Sequence, residues 1–553
     1  MCKKYLLYIQ KYILSNKWSF IGGIFFAILK SIISLLVPLT FSAIVDYALP
    51  LHKFNLLVQY SVFMIVGYIM MCTAGIVRDY FIAVVDESFI KKSRFLLLEK
   101  LNKMKYCEVE KIDNGQIMAK YGKEIETIQE HFGTQFTNIL PNLLVLIYCS
   151  IFIIFTNIRV LVSSLLMIVL YMAINRIFGK KINECAKENM KDNAETIGAF
   201  SDYFSNIFLT KIYVLYEMIE EKFRIKYSKY FKSSIKIKVL FSMNTNFAMI
   251  VLYISSGIMW FVCGLEIMRD NMTIGQLTVI ISYQGMLLTP LSFFSEYNGS
   301  LKSTMAAIDR MEFLGESAEE EYRGQKVEHI ETLKFHNVSF GYGKEIIFED
   351  ANFTLESGKI YAICGPSGCG KSTIAKLLLR VYECTDGEIY CNDSDIKKYD
   401  LNSYRSRFSI MSQEPYFYED TLWENIIVGK SSTKENIVEL SKQLDVYNDI
   451  QSFSGGFKFV LTKNAGNISG GQKRRLDALR ALNKSYDVFI FDEGTNGLDK
   501  SRKRILHSFL NQMKKDKIVI IISHDSEDLS LADVLYTIKD KEVVGECIKI
   551  VKK

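Results

Sequence analysis

The chain has 553 residues, of which 49% are hydrophobic and 23% are charged, and its formal net charge is +6 at pH 7. This length is enough for more than one domain, and the hydrophobic excess is typical of membrane proteins. The charge is small for the length, so we expect no nucleic-acid partner. The hydrophobic excess lies in the first half, whereas the second half has the composition of a soluble α/β domain.

The N-terminal segment, residues 1–17, is predicted to form an amphipathic helix. Its apolar positions recur at helical spacing: Leu6, Ile9 and Ile13. Such a helix is typical of the membrane interface, where Tyr5 and Tyr12 would lie at the level of the lipid headgroups.

Six apolar stretches follow, each long enough to cross a hydrocarbon core, which needs about 20 helical residues. They are Trp18 to Ile44, Phe54 to Val84, Thr137 to Phe155, Val160 to Phe178, Val239 to Leu265 and Ile274 to Phe294. Buried core helices of a soluble protein rarely give apolar runs this long and this often. The pattern therefore predicts an all-α transmembrane domain of six helices over residues 18–313.

Two segments between these stretches, Asp86 to Gly133 and Gly179 to Lys238, are long and rich in lysine, whereas the other links are short. By the positive-inside rule, both segments, both termini and the second half lie in the cytoplasm. The sequence thus predicts a multi-pass protein of the cell membrane. Few Gly or Pro residues interrupt the two segments, so we expect helices that run away from the bilayer and back.

Polar residues within the apolar stretches are the candidates for a cargo cavity. Lys30 is costly at bilayer depth, so it should face the bundle interior or a water-filled cavity. The other candidates are Asn138, Asn142, Asn244, Asn246, Tyr283 and Gln284. Interhelical hydrogen bonds use the same residue types, and that alternative stays open.

An acidic run marks a linker at residues 314–330, and the second domain follows over residues 331–553. Within it, residues 365–372 match the pattern of a phosphate-binding loop and follow a strand pattern, Ile360 to Cys364. The loop reads Gly365, Pro366, Ser367, Gly368, Cys369, Gly370, Lys371, Ser372, and Thr373 comes next. Its backbone N–H groups would close on phosphates, Lys371 would reach the terminal ones, and Ser372 would bind Mg²⁺.

A second buried-strand pattern, Val488 to Phe491, ends in Asp492 and Glu493. Ligands of open α/β sheets bind at the carboxyl ends of the strands, where both carboxylates would lie. Asp492 would hold magnesium through water, and Glu493 would polarise the water that attacks the γ-phosphate.

Between these motifs lies Ile468-Ser469-Gly470-Gly471-Gln472, followed by a helical stretch, Lys473 to Leu482. Here the chain resembles ATP-binding cassette proteins, whose signature is usually Leu-Ser-Gly-Gly-Gln. The resemblance implies an α/β P-loop NTPase domain fused to an exporter-type membrane domain, with ATP and Mg²⁺ as cofactors. It also implies that Ser469, Gly470, Gly471 and Gln472 bind the γ-phosphate of ATP held by the opposite subunit, as a helix N-terminus can.

The same resemblance assigns four further positions. Tyr342 would stack on adenine, and Gln413 would sense both magnesium and the membrane domain. His524 would contact the γ-phosphate, and the segment Asn496-Gly497-Leu498-Asp499 would couple the two sites. One position departs from the family pattern, because Lys463 stands where many exporters have a glutamate.

Together these features predict a half-transporter that dimerises and exports a hydrophobic or amphipathic cargo from the cytoplasm by alternating access. A homodimer is the simplest assembly, and a heterodimer stays open. The segment Thr462 to Gln472 is similar to its counterpart in exporters of peptides, which favours a peptide slightly over a lipid or a drug. The alternatives are an ATP-gated channel or regulatory subunit, and an importer on the same scaffold.

Overall fold

The computed structural model describes residues 2–112, 114–156, 158–312, 318–343, 345–428, 432–495 and 498–547. The chain divides into two compact units. The first comprises residues 1–100 and 114–316, and the second comprises residues 101–113 and 317–553. The start of the predicted linker, residues 314–317, lies outside the described residues.

The first unit is helical throughout, which confirms the all-α part of the predicted fold. Its helices, including the short α4 that belongs to the second unit, are α1 Cys2–Ser15, α2 Lys17–Ala43, α3 Phe54–Lys103, α4 Tyr106–Val109, α5 Asn114–Ala119, α6 Ile125–Glu130, α7 Ile139–Thr156, α8 Ile158–Ser205, α9 Ile207–Ile212, α10 Tyr216–Met268 and α11 Ile274–Glu312. Short π-helical and 3-10 turns continue α2 and join α5, α6 and α7.

Within the described residues, five helical stretches are long and apolar enough to cross a membrane. They are Lys17–Ala48, Phe54–Lys103, Ile117–Thr156, Tyr216–Met268 and Ile274–Glu312. Each contains one of the predicted apolar stretches or most of it. The remaining prediction, Val160 to Phe178, falls in α8, where the side chains at 161, 163 and 165 lie outside the described residues.

Helix α1 differs from the prediction in the face that it buries. Tyr12 is fully buried and donates a hydrogen bond to Asp86 Oδ1 at 2.6 Å, so its side chain faces other helices of the first unit. Tyr5, Tyr8 and Ile9 pack around the same apolar cluster, which includes residues of α3, α6 and α11. These positions recur at the spacing of one helical face, whereas Leu6, Leu7 and Leu14 on the other sides are exposed.

The second unit is an α/β domain, as predicted. Its strands are β1 Thr332–Tyr342, β2 Glu345–Glu356, β3 Ile360–Cys364, β4 Asp386–Cys391, β5 Ser394–Asp395, β6 Phe408–Met411, β7 Val488–Asp492, β8 Ile518–Ile522, β9 Val534–Lys539 and β10 Glu542–Cys547. Its further helices are α12 Lys371–Leu378, α13 Leu401–Ser406, α14 Leu422–Ile427, α15 Lys434–Gln443, α16 Tyr447–Ser452, α17 Gly470–Leu482, α18 Lys500–Met513 and α19 Ser526–Leu529.

Two sheets organise this unit. Strands β2-β1-β4-β5 form an antiparallel sheet, and β10-β9-β3-β8-β7-β6 form a larger one that is parallel except for β10 at its edge. Strands β7 and β8 are buried along their whole length, and β3 over all but its last residue, because apolar residues cover both faces of each. The carboxyl ends of these three parallel strands therefore meet at one edge of the sheet, where the candidate site lies.

Candidate nucleotide-binding site

The loop between β3 and α12 has a backbone that only glycine adopts without strain. Gly365, Gly368 and Gly370 have φ angles of 152°, 80° and 100°, in the left-handed range that L-residues avoid. A Cβ on Gly365 would lie 2.6 Å from the carbonyl oxygen of Ile538. Lys371, the first residue of α12, donates through Nζ to the carbonyls of Gly365 and Pro366, both at 2.9 Å. The loop therefore surrounds the Lys371 ammonium, and α12 begins at the end of the loop.

Ser372, in the first turn of α12, lies beside Asp492, the last residue of β7. The Ser372 hydroxyl donates to Asp492 Oδ2 at 3.0 Å. Burial raises the pKa of Asp492 above its ordinary value, and the hydrogen bond from Ser372 opposes that shift. A hydroxyl and a carboxylate oxygen this close form the hard-oxygen donor set that Mg²⁺ prefers.

The three predicted catalytic residues come together at the carboxyl ends of β7 and β8. Glu493 Oε2 accepts a hydrogen bond from Gln413 Nε2 at 2.8 Å, and Glu493 Oε1 lies 3.3 Å from His524 Nδ1. Glu493 has a left-handed backbone, with φ of 48°, which is uncommon for a residue other than glycine. This conformation aims the carboxylate between two side chains that lie 80 and 31 residues away in the sequence.

Tyr342 stands at the end of β1, beside the start of α12. Its hydroxyl lies 3.3 Å from Thr373 Oγ1, and its ring is partly exposed. The ring packs edge-on against Tyr382 with 5.3 Å between centroids, and the Lys376 ammonium lies 5.9 Å from the Tyr342 ring centre. An exposed aromatic face beside the phosphate loop is suited to stacking on a base.

The signature segment forms the start of α17, three residues before the predicted start of that helix. Ser469 is the N-cap residue: its hydroxyl accepts from the N–H of Gln472 at 3.3 Å, and the Gln472 side chain accepts from the N–H of Ser469 at 2.9 Å. This reciprocal pair is a capping box. The cap lets Gly470 and Gly471 begin the helix despite their low helix propensity.

Asp499 is the N-cap residue of the next helix, α18. Its carboxylate accepts from Ser501 and from the N–H of Arg502, and these hydrogen bonds lower the pKa of Asp499 to about 2. Of the loop that was predicted to couple the two sites, Asn496 and Gly497 lie outside the described residues.

Residues 101–112, which continue α3 and contain α4, belong to the second unit and contact the rest of it. We call these residues the docking segment. Lys105 Nζ bonds Glu383 at 2.7 Å, and Tyr106 packs edge-on against Tyr382 at 6.3 Å between ring centroids. The Tyr382 hydroxyl also donates to Glu110. Tyr382 thus contacts both the docking segment and Tyr342.

Charge also holds the docking segment in place. The hydrogen bond from Lys105 lowers the pKa of Glu383 below its ordinary value, so both groups are charged at neutral pH. On the other side of the segment, the backbone N–H of Glu320 donates to the carbonyl of Lys103 at 2.7 Å.

The residues predicted to line a cargo cavity make hydrogen bonds of several kinds. Asn244 bonds Asn175 at 3.1 Å, and Gln284 bonds Ser255 at 2.6 Å, each between two helices. The remaining bonds are Tyr283 to the Leu35 carbonyl at 2.6 Å, Asn142 to the Asn138 carbonyl at 2.8 Å and Asn246 to the Ser242 carbonyl at 2.8 Å. Tyr283 and Gln284 are fully buried.

Unlike the buried Tyr283 and Gln284, Lys30 is exposed. It lies on α2, with its ammonium beside Gly75 of α3. The sequence reading also missed Arg78, one turn further along α3, which donates to Asn138 Oδ1 at 2.9 Å. The signal for Arg78 was a charged residue inside an apolar stretch. The bonds of Asn244, Tyr283 and Gln284 fit the interhelical alternative, and a cavity role stays a prediction.

The fold and the site define a P-loop nucleotide-binding domain fused to a helical membrane domain. Two family sequence models match the chain, the ABC transporter transmembrane region over residues 20–291 and the ABC transporter over residues 348–496. The chain therefore belongs to the ATP-binding cassette (ABC) transporters, in the exporter-type arrangement with one transmembrane region and one nucleotide-binding domain.

Individual relatives agree with this assignment. The chain is 33% identical over 283 residues to the ATP-dependent lipid A-core flippase of Haemophilus influenzae (strain 86-028NP), a match that covers 50% of this chain and 48% of the relative. It is 24% identical over 533 residues to ABC transporter B family member 1 of Dictyostelium discoideum, covering 93% of this chain and 58% of the relative. The chain thus spans about half the length of the curated relatives that it matches.

Among solved structures, a bacterial Atm1-family ABC exporter with ATP bound superposes with a TM-score of 0.82 at 20% identity, covering 97% of this chain and 96% of the other. This likeness confirms the fold: a helical transmembrane domain joined to an α/β nucleotide-binding domain.

Proposed function

We propose that this protein is an ATP-driven exporter that hydrolyses ATP and moves an amphipathic cargo out of the cytoplasm by alternating access. The observation that carries the proposal is the meeting of Gln413, Glu493 and His524 at one sheet edge, beside the phosphate loop and the Ser372–Asp492 pair. Phosphoryl transfer to water requires a loop that binds the phosphates, oxygens that bind the metal and a general base.

The residues have distinct roles in hydrolysis. Backbone N–H groups of the loop and Lys371 bind the phosphates, while Tyr342 stacks on the adenine. Ser372, Asp492 and Gln413 would hold Mg²⁺, and the ion would neutralise charge on the phosphates. Glu493 accepts a proton from the attacking water, and His524 contacts the γ-phosphate from the next strand. The exposure of Gln413 leaves room for water beside Glu493.

A second chain completes the site. Gly470 and Gly471 begin α17 at its N-terminus, a place that favours anions. With Ser469 they would bind the γ-phosphate of ATP on the partner. The tip of the α8–α10 hairpin supports dimerisation independently, because Phe204, Phe208 and Tyr213 are 67%, 72% and 67% exposed there. Exposed apolar patches of this kind mark interaction sites. A second copy is the simplest partner, and a different half-transporter is the alternative.

The orientation of the chain in the membrane follows from the distribution of its lysines. The extensions of α3, α8 and α10 carry the lysine-rich segments, so the positive-inside rule places them and the nucleotide-binding domain in the cytoplasm. Nucleotide-driven closure of two domains would then reach the membrane helices through the docking segment, whose contacts with Tyr382 and Glu383 lie beside Tyr342.

The cargo is proposed to be amphipathic. Within the described residues Lys30 has no ion pair, although it lies inside a predicted span, and a bound anionic group would compensate its charge. Two observations point to different cargo classes. The similarity of Thr462 to Gln472 to peptide exporters favours a peptide, whereas relatives named lipid A-core flippases favour a lipid.

The test is transport in inverted vesicles that contain the purified full chain. ATP should drive uphill accumulation of a fluorescent lipid or an amphipathic peptide, and Glu493→Gln should abolish it. Lys30→Gln should weaken transport of an anionic probe more than that of its neutral analogue. Dissipation of a gradient without accumulation would indicate a channel, and flux in the opposite direction would indicate an importer. ATP hydrolysis at the full rate in Glu493→Gln would refute the proposed chemistry.

A further inference from the structure

Asp528, in α19, is a buried carboxylate that the proposed hydrolysis does not use. It is completely buried, yet three side chains from different parts of the second unit bond it. The hydroxyls of Thr495 and Ser523 donate to Oδ2 at 2.7 and 2.8 Å, and His507 Nε2 lies 2.7 Å from Oδ1. A buried carboxylate is tolerated only with such partners, so these four side chains form one interdependent set.

The partners of Asp528 lie next to the residues of the candidate site. Thr495 is two residues after Glu493, in the loop that follows β7, and Ser523 directly precedes His524, in the loop that follows β8. Asp528 therefore ties together the two loops that carry Glu493 and His524. His507 extends the set to α18, so the carboxylate is fixed from a third side.

The geometry of Glu493 shows why such a tie matters. Its backbone is in the left-handed region, and its N–H donates to the carbonyl of Ile522 at 2.8 Å. A non-glycine residue in that conformation persists only where its surroundings hold it. Glu493 Oε1 lies 3.3 Å from His524 Nδ1, so a small shift of either loop would separate the two groups.

We propose that Asp528 is a positioning residue for ATP hydrolysis, which holds the Glu493 and His524 loops at their working distance through Thr495 and Ser523. The inference rests on the proposed function, since it assigns Asp528 a part in the same reaction. The alternative is that Asp528 only anchors α19 structurally. In that case the loss of the carboxylate would lower stability and leave the turnover of the folded protein unchanged.

The chain offers a matched control in Asp533, which follows α19 and is also buried. Its carboxylate accepts from the N–H of Ile360 at 3.0 Å and from Lys514 at 3.2 Å, away from the two catalytic loops. Asp528→Asn and Asp533→Asn each replace one buried carboxylate by an amide of the same shape. In the full chain in lipid nanodiscs, we would measure Tm, ATP affinity, kcat and KM for both variants.

We expect both variants to lower Tm, but only Asp528→Asn to lower kcat, by about tenfold to a hundredfold, with KM within about twofold of wild type. In a Glu493→Gln background, Asp528→Asn should cause no further loss, because the two residues act through one step. Equal kcat for wild type and Asp528→Asn, or the same fold loss with and without Glu493, would overturn the proposal.

Should Asp528→Asn fail to fold, Thr495→Val and Ser523→Ala decide the question, since each removes one hydroxyl and keeps the carboxylate. Each should lower kcat several-fold with KM preserved, and unchanged kcat in both would overturn the proposal. Failure of the proposed function would look different. In that case the wild-type protein itself would show no ATP hydrolysis, whereas a wrong assignment of Asp528 leaves wild-type hydrolysis and its dependence on Glu493 intact.

Discussion

Replacement of Tyr382 by leucine should release the docking segment from the nucleotide-binding domain. The ring of Tyr382 packs edge-on against Tyr106 and Tyr342, at 6.3 and 5.3 Å between centroids, and its hydroxyl donates to Glu110. Only the pair with Tyr106 reaches the docking segment, and it contributes about 0.5–1.5 kcal/mol. The hydrogen bond is open to solvent, so it adds about 0.5–1.5 kcal/mol.

The total, about 1–3 kcal/mol, corresponds to a roughly 5- to 150-fold larger open population of the docking segment. Hydrogen–deuterium exchange of peptides that cover residues 104–112 measures this population directly, because local opening limits exchange there. We expect amide exchange in Tyr382→Leu to be faster by that factor. Tyr382→Phe keeps the rings and should accelerate exchange only about 2- to 12-fold.

Tyr390→Leu is the matched control, since Tyr390 lies on β4 and its hydroxyl bonds Glu388 in the same strand. Exchange of residues 104–112 should be unchanged in that variant. ATP hydrolysis should persist in Tyr382→Leu while cargo moved per ATP declines, because the membrane helices no longer follow the nucleotide-binding domain. Exchange in Tyr382→Leu at the wild-type rate, or an equal effect of Tyr382→Phe, would refute the reasoning.

Three further predictions follow from single sites. Leu510→Ala removes a fully buried side chain of α18 and should lower the free energy of unfolding by about 2–5 kcal/mol; chemical denaturation checks this, and a loss below 1 kcal/mol would show that the site collapses. Gly365→Ala places a Cβ 2.6 Å from the Ile538 carbonyl oxygen, so strain of about 1–3 kcal/mol should weaken ATP binding roughly 5- to 150-fold. Titration calorimetry measures the affinity for ATP, and a wild-type affinity in the variant would contradict this prediction. Lys463→Glu reverses an exposed charge in the loop before the signature and should change the ratio of transport to hydrolysis several-fold without changing ATP affinity; an unchanged ratio would mean that Lys463 has no coupling role.

Strands β3 and β7 of the nucleotide-binding domain were predictable because each is a short apolar run. Strand β3 begins and ends where the sequence predicted, at Ile360 and Cys364, and β7 is one residue longer than predicted. The phosphate loop, Asp492 and Glu493 follow from the same runs, since parallel strands present their carboxyl ends together. Local pattern and chain order were sufficient here.

Other features depend on contacts between distant residues, and sequence patterns did not reveal them. The pattern of α1 did not reveal that Tyr12 is buried and donates to Asp86, which lies 74 residues away. Tyr382 and Asp528 acquire their roles from neighbours brought close by the fold.

The strand order has a consequence for how the protein is made. In the larger sheet, β3 lies between β8 and β9, and β8 begins about 150 residues after β3 ends. A ribosome that adds about 5–20 residues each second needs roughly 8–30 s to supply that neighbour. Until then β3 and its glycine loop have no sheet to join, and such long-range pairing is slow even afterwards. Nascent chains that stop before Ile518 would therefore have no formed nucleotide pocket, and they would present an apolar strand to chaperones and proteases.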